Sequence, residues 1–299
     1  MKSSAAFSPC NITGFFQTHP DRANPLRAGS TGASVTLSAG VTTRVRVSKA
    51  RTAIVNVSFN GRTLPKDCVS SYLARRYVQL EGNPWNIDIA HTGILPTGCG
   101  YGTSGAGALS LSLALNESMK LSLTKIEAAQ LAHIAEIACK TGLGTVTSVL
   151  SGELVVRTIP GAPGFGEITK IHMPESLRLV TATYGPIPTS RILGNVTLNK
   201  AINNCGKELI ARFDRRDAQI SFTELSRRFS QCLALISRRL ERIIARLDAA
   251  GFKASMAMLG ESLFCIAAQE DVTQICEVIE AQQLAPIVTS IAKKGAHLL

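Results

Sequence analysis

The segment best equipped for chemistry is Leu95-Pro96-Thr97-Gly98-Cys99-Gly100-Tyr101-Gly102-Thr103-Ser104-Gly105-Ala106-Gly107-Ala108-Leu109, with five glycines between positions 98 and 107. A glycine-rich loop that runs into a helix of small apolar residues can wrap a phosphate chain. Its amides point at the anion, and the helix N-terminus adds partial positive charge. Thr103 and Ser104 fall in the first helical turn, where a hydroxyl can cap the helix or reach Mg²⁺. A dinucleotide fingerprint (Gly100, Gly102, Gly105) is a weaker reading, because Pro96 interrupts the strand that should precede it and a second helix follows the first. A Walker loop is excluded, since no lysine follows the glycines. A merely flexible loop would bear the entropic cost of so many glycines without a ligand to justify it. A triphosphate cradle fits best.

Two further sets of residues could act with that loop. Ile126, Ala129, His133 and Glu136 recur at steps of three, four and three, which places His133 and Glu136 on one face of a helix. Arg157 lies in a strand-like run, and a guanidinium fork suits a carboxylate. Taken singly, a helical His and Glu read as a surface pair and a strand Arg as a solvated edge charge.

The elements that must position these residues are legible in outline. Residues 35–48 read as two strand segments, and 53–59 as another closed by the turn Asn60-Gly61. A helix is predicted over 67–80, a short strand over 86–91, and a helix from the glycine loop to about Asn116. A second helix spans 124–140, with Thr124 and Glu127 forming a capping box and Gly142 and Gly144 ending it. A short helix (145–150) and a strand (153–159) lead to Pro160-Gly161-Ala162-Pro163-Gly164-Phe165-Gly166, the densest Pro/Gly stretch and the expected domain boundary. Beyond it the pattern gives a strand at 178–184, a helix over 195–212, and an arginine-rich amphipathic helix, in one or two pieces, through Leu247. A hairpin about Gly260-Glu261, a helix over 271–282 and a strand at 285–292 complete the chain. Segregated strands and helices indicate an α+β fold with domains 1–160 and 161–299 rather than a doubly wound parallel sheet.

Composition narrows the class. At 299 residues, 45% hydrophobic and 18% charged, the chain is too apolar and too lightly charged for disorder. Its most apolar run, 106–115, is too short to span a bilayer, and the first nine residues lack the apolar core of a signal peptide. A cytoplasmic protein is the expectation. The eight cysteines are scattered, with neither Cys-x-x-Cys nor zinc spacing, and read as reduced thiols, a disulfide of the kind some hyperthermophile proteins carry inside the cell being the alternative. The net charge of +11 raises the question of nucleic acid. However, Arg227, Arg228, Arg238, Arg239, Arg242 and Arg246 alternate with Leu225, Phe229, Leu233, Ile236, Leu240, Ile243 and Leu247 as in a solvated helix face, and no nucleic-acid motif accompanies them.

The loop also carries a resemblance. Pro96-x-Gly98-x-Gly100-x-Gly102-Thr103-Ser104-Gly105-Ala106 resembles the phosphate-binding motif of the GHMP kinases, the superfamily of galactokinase, homoserine kinase, mevalonate kinase and phosphomevalonate kinase. Within it the chain resembles the archaeal pantoate kinases, through residues 7–16, 25–33, 141–144 and 255–260. The resemblance implies a two-domain α+β fold with ATP in the cleft between domains, and transfer of phosphate from ATP to pantoate in coenzyme A biosynthesis. It further implies Pro96, Gly98, Gly100, Gly102, Thr103, Ser104, Gly105 and Ala106 as ATP contacts, Ser104 and Glu136 as Mg²⁺ ligands and catalytic groups, and Ser30, His133 and Arg157 as pantoate contacts. The partners are then small molecules, with no membrane or nucleic acid, and a homodimer is compatible with this.

Two positions depart from the family pattern. Cys10-Asn11 stands where the family more often has Gly-His. Thr145 stands where it typically has the Asp of Thr-Gly-Leu-Gly-Asp-Val, the aspartate assigned as catalytic base in many GHMP kinases. Because phosphoryl transfer depends mostly on positioning and electrostatics, an active enzyme without a dedicated base is the expectation. The alternatives are another GHMP small-molecule kinase or a catalytically impaired ligand-binding relative.

Overall fold

The computed structural model describes residues 1–187, 192 and 195–299. Two sheets organise the chain. An eight-stranded sheet has the order β12-β1-β2-β5-β3-β4, with β6 added to β2 and β7 to β6. Its strands are β1 (Lys2–His19), β2 (Gly29–Lys49), β3 (Ile54–Phe59), β4 (Arg62–Thr63), β5 (Trp85–Thr92), β6 (Leu154–Ile159), β7 (Glu167–Ile171) and β12 (His297–Leu298). A four-stranded sheet has the order β11-β8-β10-β9, from β8 (Leu177–Pro186), β9 (Ala254–Ala257), β10 (Gly260–Ala268) and β11 (Ile287–Ser290). The α+β expectation holds.

β1 and β2 form a long antiparallel ribbon that is the spine of the molecule. Its two halves have different neighbours: Thr42–Lys49 of β2 pairs with β5, whereas Gly32–Val35 pairs with β6. Register shifts at Pro9/Cys10 and Thr13/Phe15 mark the middle of the ribbon. β1 carries no clean alternation in sequence, because from Ser8 to Ile12 it is buried on both faces and includes Pro9 and Asn11. The pattern that locates half-buried strands is therefore absent there. β2 is likewise one strand rather than two segments.

The first part of the ribbon packs under α2 (Thr103–Met119) and α4 (Thr145–Ser151), and α1 (Val69–Glu81) and α3 (Lys125–Cys139) pack in turn against α2. α2 is buried almost all round, which its run of Ala, Gly, Ser and Leu permits. α3 starts with the expected capping box: the Thr124 hydroxyl accepts from Glu127 N–H and the Glu127 carboxylate accepts from Thr124 N–H, a device worth about 1 kcal/mol. The second part packs under α5 (Val196–Arg212) and α6 (Ala218–Cys232), with Phe15 and Phe16 against Phe222 and Phe229. α7 (Arg238–Ala249) and α8 (Val272–Glu280) cover the small sheet. The arginine-rich segment is thus two helices, with Arg227 on α6 bonded to Asp248 and to the Ala254 carbonyl.

Two expectations are corrected. Cys205 and Cys232 form a disulfide joining α5 to α6, their Cα atoms 6.6 Å apart; the pairing is created by the packing of two helices and is invisible in cysteine spacing. The hairpin turns at Met258-Leu259, two residues before Gly260-Glu261. Gly260 already belongs to β10, where a Cβ would come within 2.5 Å of Gly100 N. Its glycine serves close approach to the glycine loop, not the turn.

Candidate active site

The glycine loop is built as a series of left-handed turns. Gly98, Gly100 and Gly102 have φ of 75°, 83° and 63°, and Gly102 is the N-cap of α2 without any side-chain cap. The first helical amides, before the Ala106 N–H to Gly102 carbonyl bond, are therefore left for an external acceptor. The loop is braced from the small sheet. The Ser262 hydroxyl donates to Cys99 O at 2.7 Å, Ile187 N–H donates to Gly98 O at 3.1 Å, and the Tyr101 and Thr181 hydroxyls lie 2.9 Å apart.

In front of this loop lies a cavity of about 100 Å³, open to solvent. Its walls come from β1, β2, the glycine loop, α3, the 141–145 turn, β6 and the Met258-Leu259 turn. Of the residues singled out from sequence, Ser30, Gly98, Gly100, Gly102, Thr103, Ser104, Glu136, Thr145 and Arg157 line it. Ser104 is exposed at the first turn of α2. Pro96, Gly105 and Ala106 lie outside the lining: Pro96 precedes the curl, and Gly105 and Ala106 face inward from α2. His133 is also outside it. Its buried imidazole contacts the Ala28 carbonyl through Nε2 at 2.9 Å, holding the segment that leads to Ser30.

The 141–145 turn divides the floor into two electrostatically opposite parts. On one side is Glu136, 2% exposed. A Cβ on Gly105 or Gly142 would run into its carboxylate at 2.7 and 2.5 Å. Its side-chain contact is the Thr141 hydroxyl at a long 3.5 Å. Burial pushes its pKa up to about 8, only partly opposed by Thr141 and the Val146 amide. On the other side is Arg157, also 2% exposed, donating from Nε to Ser30 O at 3.2 Å and from Nη1 to the Ser34 and Ser148 hydroxyls at 3.0 and 2.9 Å. A Cβ on Gly144 would lie 2.6 Å from Arg157 Nε and 2.5 Å from Ser30 Oγ. Burial pushes the guanidinium down to about 10. Neither group has an oppositely charged partner among the described residues. α3 ends on the left-handed cap Lys140, so Gly142 and Gly144 serve instead to let the chain pass close over these two side chains.

A buried, uncompensated carboxylate beside a hydroxyl-bearing helix N-terminus fits a hard divalent cation. No cluster of three or more His, Cys, Asp or Glu occurs among the described residues, so the donor set suits Mg²⁺ sharing its shell with phosphate oxygens and water rather than a protein cage. Thr145, between Gly102 and Gly105, brings a methyl and a hydroxyl but no basic atom. Asn11, which the sequence marked only as a departure from the family pattern, also lines the cavity.

The loop, the fold and the opposed charges define a GHMP-type small-molecule kinase, and residues 65–153 match the GHMP kinases N terminal domain. The pantoate kinase of Thermococcus kodakarensis is 31% identical over 97% of this chain and 97% of its own length. That of Methanocaldococcus jannaschii is 29% identical over 95% and 99%. Among solved structures, a phosphotransferase related to the CoA biosynthesis pathway superposes with a TM-score of 0.89 at 28% identity, covering 99% of this chain and 98% of that one. Homoserine kinase from Cytophaga hutchinsonii, at 16% identity and TM-score 0.73 over 100% and 98%, shares the fold. The chain belongs to the pantoate kinase family.

Proposed function

We propose that this protein transfers the γ-phosphoryl group of ATP to the 4-hydroxyl of pantoate, giving ADP and 4-phosphopantoate. The observation that carries this reading is the pair of buried ionisable groups without a charged partner beneath the glycine loop, Glu136 on one side of the 141–145 turn and Arg157 on the other. The site is thereby prepared for a cation bound to phosphate and for a small carboxylate.

In this assignment the loop Pro96–Ala106 cradles the triphosphate in the cleft between residues 1–160 and 161–299. Ser104 and Glu136 hold Mg²⁺, which when bound neutralises charge on the phosphate oxygens. Arg157 takes the pantoate carboxylate with Ser30 beside it, and His133 acts on that subsite through the Ala28 carbonyl. The acceptor oxygen forms a bond to phosphorus while the bond from phosphorus to the β-phosphate bridging oxygen breaks. The hydroxyl proton leaves by way of the transferred phosphoryl group, because Thr145 cannot accept it and Glu136 is committed to the metal. A cytoplasmic location is part of this reading, because the reaction draws on ATP; separately, no helix among the described residues is long and apolar enough to cross a membrane.

The test is turnover of purified protein with ATP, Mg²⁺ and pantoate, with mevalonate and homoserine alongside, read as ADP release and product mass. 4-Phosphopantoate is expected. ADP formation with mevalonate or homoserine but not with pantoate would refute the acceptor and leave the enzyme class intact. Binding of nucleotide without any turnover would instead indicate a ligand-binding relative.

A further inference from the structure

Asn11 is 1% exposed, yet neither its Nδ2 nor its Oδ1 has a hydrogen-bond partner. Two other residues among those described have an orphaned buried side-chain polar atom, the hydroxyls of Thr36 and Ser255. Neither lines the cavity, whereas Asn11 does. Interior amides are paired almost without exception, because an unpaired one loses its water and gains nothing. The residue is anchored through its main chain: the Asn11 backbone N–H donates to Tyr101 O at 3.1 Å, inside the glycine loop. The missing Cβ of Gly102 is what admits it, since that atom would lie 3.2 Å from the Asn11 Cγ and clash with Oδ1. Thr145 packs against the same glycine, its Cγ2 2.9 Å from the same point. The carboxamide therefore stands beside Gly102, the uncapped N-cap of α2.

Resting on the kinase reading above, we propose that Asn11 is a ligand-binding group of the transfer site, with Nδ2 donating to an oxygen of the transferring phosphoryl group and Oδ1 accepting from the acceptor hydroxyl. A group that offers one donor and one acceptor can bridge the two reactants and fix their approach. At Gly102 Thr145 presents its methyl Cγ2, and a backbone amide only donates, so neither supplies such a pair of functions there.

The test uses full-length Asn11→Ala, Asn11→Ser and Asn11→Asp proteins, with unfolding temperature, kcat for pantoate, and calorimetric affinity for the nonhydrolysable analogue AMPPNP with Mg²⁺. Asn11→Ala is expected to unfold within a few degrees of the parent, to bind AMPPNP about 10-fold more weakly and to lose roughly 100-fold in kcat. Asn11→Asp keeps the shape but loses the donor and adds repulsion, and should be impaired at least as much. If Asn11→Ala does not fold, Asn11→Ser decides by the same readouts. Parent-like kcat and AMPPNP affinity in a folded variant would overturn the proposal and leave water as the partner of Asn11. Should the parent bind AMPPNP but fail to phosphorylate pantoate, the acceptor assignment falls, while the AMPPNP comparison still decides the role of Asn11.

Discussion

The large sheet and the helices α1–α4 hold two buried polar clusters that use similar residues to opposite ends. Between β2, β5, α1 and α2, His91 is enclosed with both ring nitrogens engaged, Nδ1 with the Thr43 hydroxyl at 2.7 Å and Nε2 with that of Ser70 at 2.9 Å. Thr43 in turn contacts Ser110, and nearby the Tyr77 hydroxyl lies 2.8 Å from that of Ser112. Below the glycine loop, by contrast, Glu136, Arg157 and Asn11 are just as buried but are left with charges or hydrogen-bonding atoms unmatched. A satisfied network specifies the packing of a core, whereas an unsatisfied one stores free energy that only a ligand releases. The contrast separates scaffold from site without reference to any relative.

The sharpest way to break this comparison is to neutralise Glu136. The Glu136→Gln protein should lose about 10³-fold or more in turnover and yet, free of metal, be more stable than the parent. A carboxylate with its pKa raised from 4.5 to about 8 contributes stability below pH 4.5, and this is lost as pH rises through 8. Above pH 8 the parent should therefore trail the glutamine variant by up to about 5 kcal/mol. Denaturant titrations in EDTA at pH 5 and pH 8.5 measure the difference, and equal stability at both pH values would show that the carboxylate is already compensated. Ser104→Ala comes next, with a loss of roughly 10²-fold in turnover and little change in unfolding temperature; parent-like rates would place the phosphate elsewhere. Arg157→Lys should raise the KM for the acceptor about 10- to 100-fold and leave that for ATP nearly unchanged, because an ammonium cannot reproduce the fork. An equal rise in both constants would detach Arg157 from the acceptor.

The satisfied cluster gives the opposite pH response. Burial lowers the His91 pKa from 6.5 to about 4, so the unfolded chain takes up a proton that the native chain refuses. Stability should be whole above pH 6.5 and decline by about 3 kcal/mol as pH falls to 4. His91→Gln should flatten that slope and leave kcat at neutral pH alone, and a parent-like slope in the variant would assign it to other groups. The smallest effect is expected for Thr145→Asp. The new carboxylate would stand beside Glu136, since both positions meet at the absent Cβ of Gly105, and turnover should change less than about 10-fold if no dedicated base is needed. A gain well beyond that would mark the chain as an enzyme that has lost its base.

Much of this was legible from the chain alone, and the exceptions have physical causes. The glycine loop, the capping box of α3 and the short strand β5 announce themselves through local chemistry. β1 does not, because a strand buried on both faces loses its alternation. The disulfide and the true turn of the 254–268 hairpin depend on which distant backbones approach, and no local pattern records that. Glu136 and Arg157 looked like ordinary helix and strand charges; only their burial beneath Gly142 and Gly144 distinguishes them. Asn11 carried no signal of its own, because its meaning lies in partners that are missing. His133 shares a helix face with Glu136, yet the loop carrying Ala28 comes between it and the cavity.

The bonds from Ser262, Thr181 and Ile187 to the glycine loop have a mechanical corollary. The curl is cast against a mould supplied by strands that arrive some eighty to one hundred and sixty residues later in the chain. The loop can accordingly take its bent form only after those strands have joined it. A fragment ending near residue 160 would carry every glycine of the motif while lacking the surface that keeps them bent.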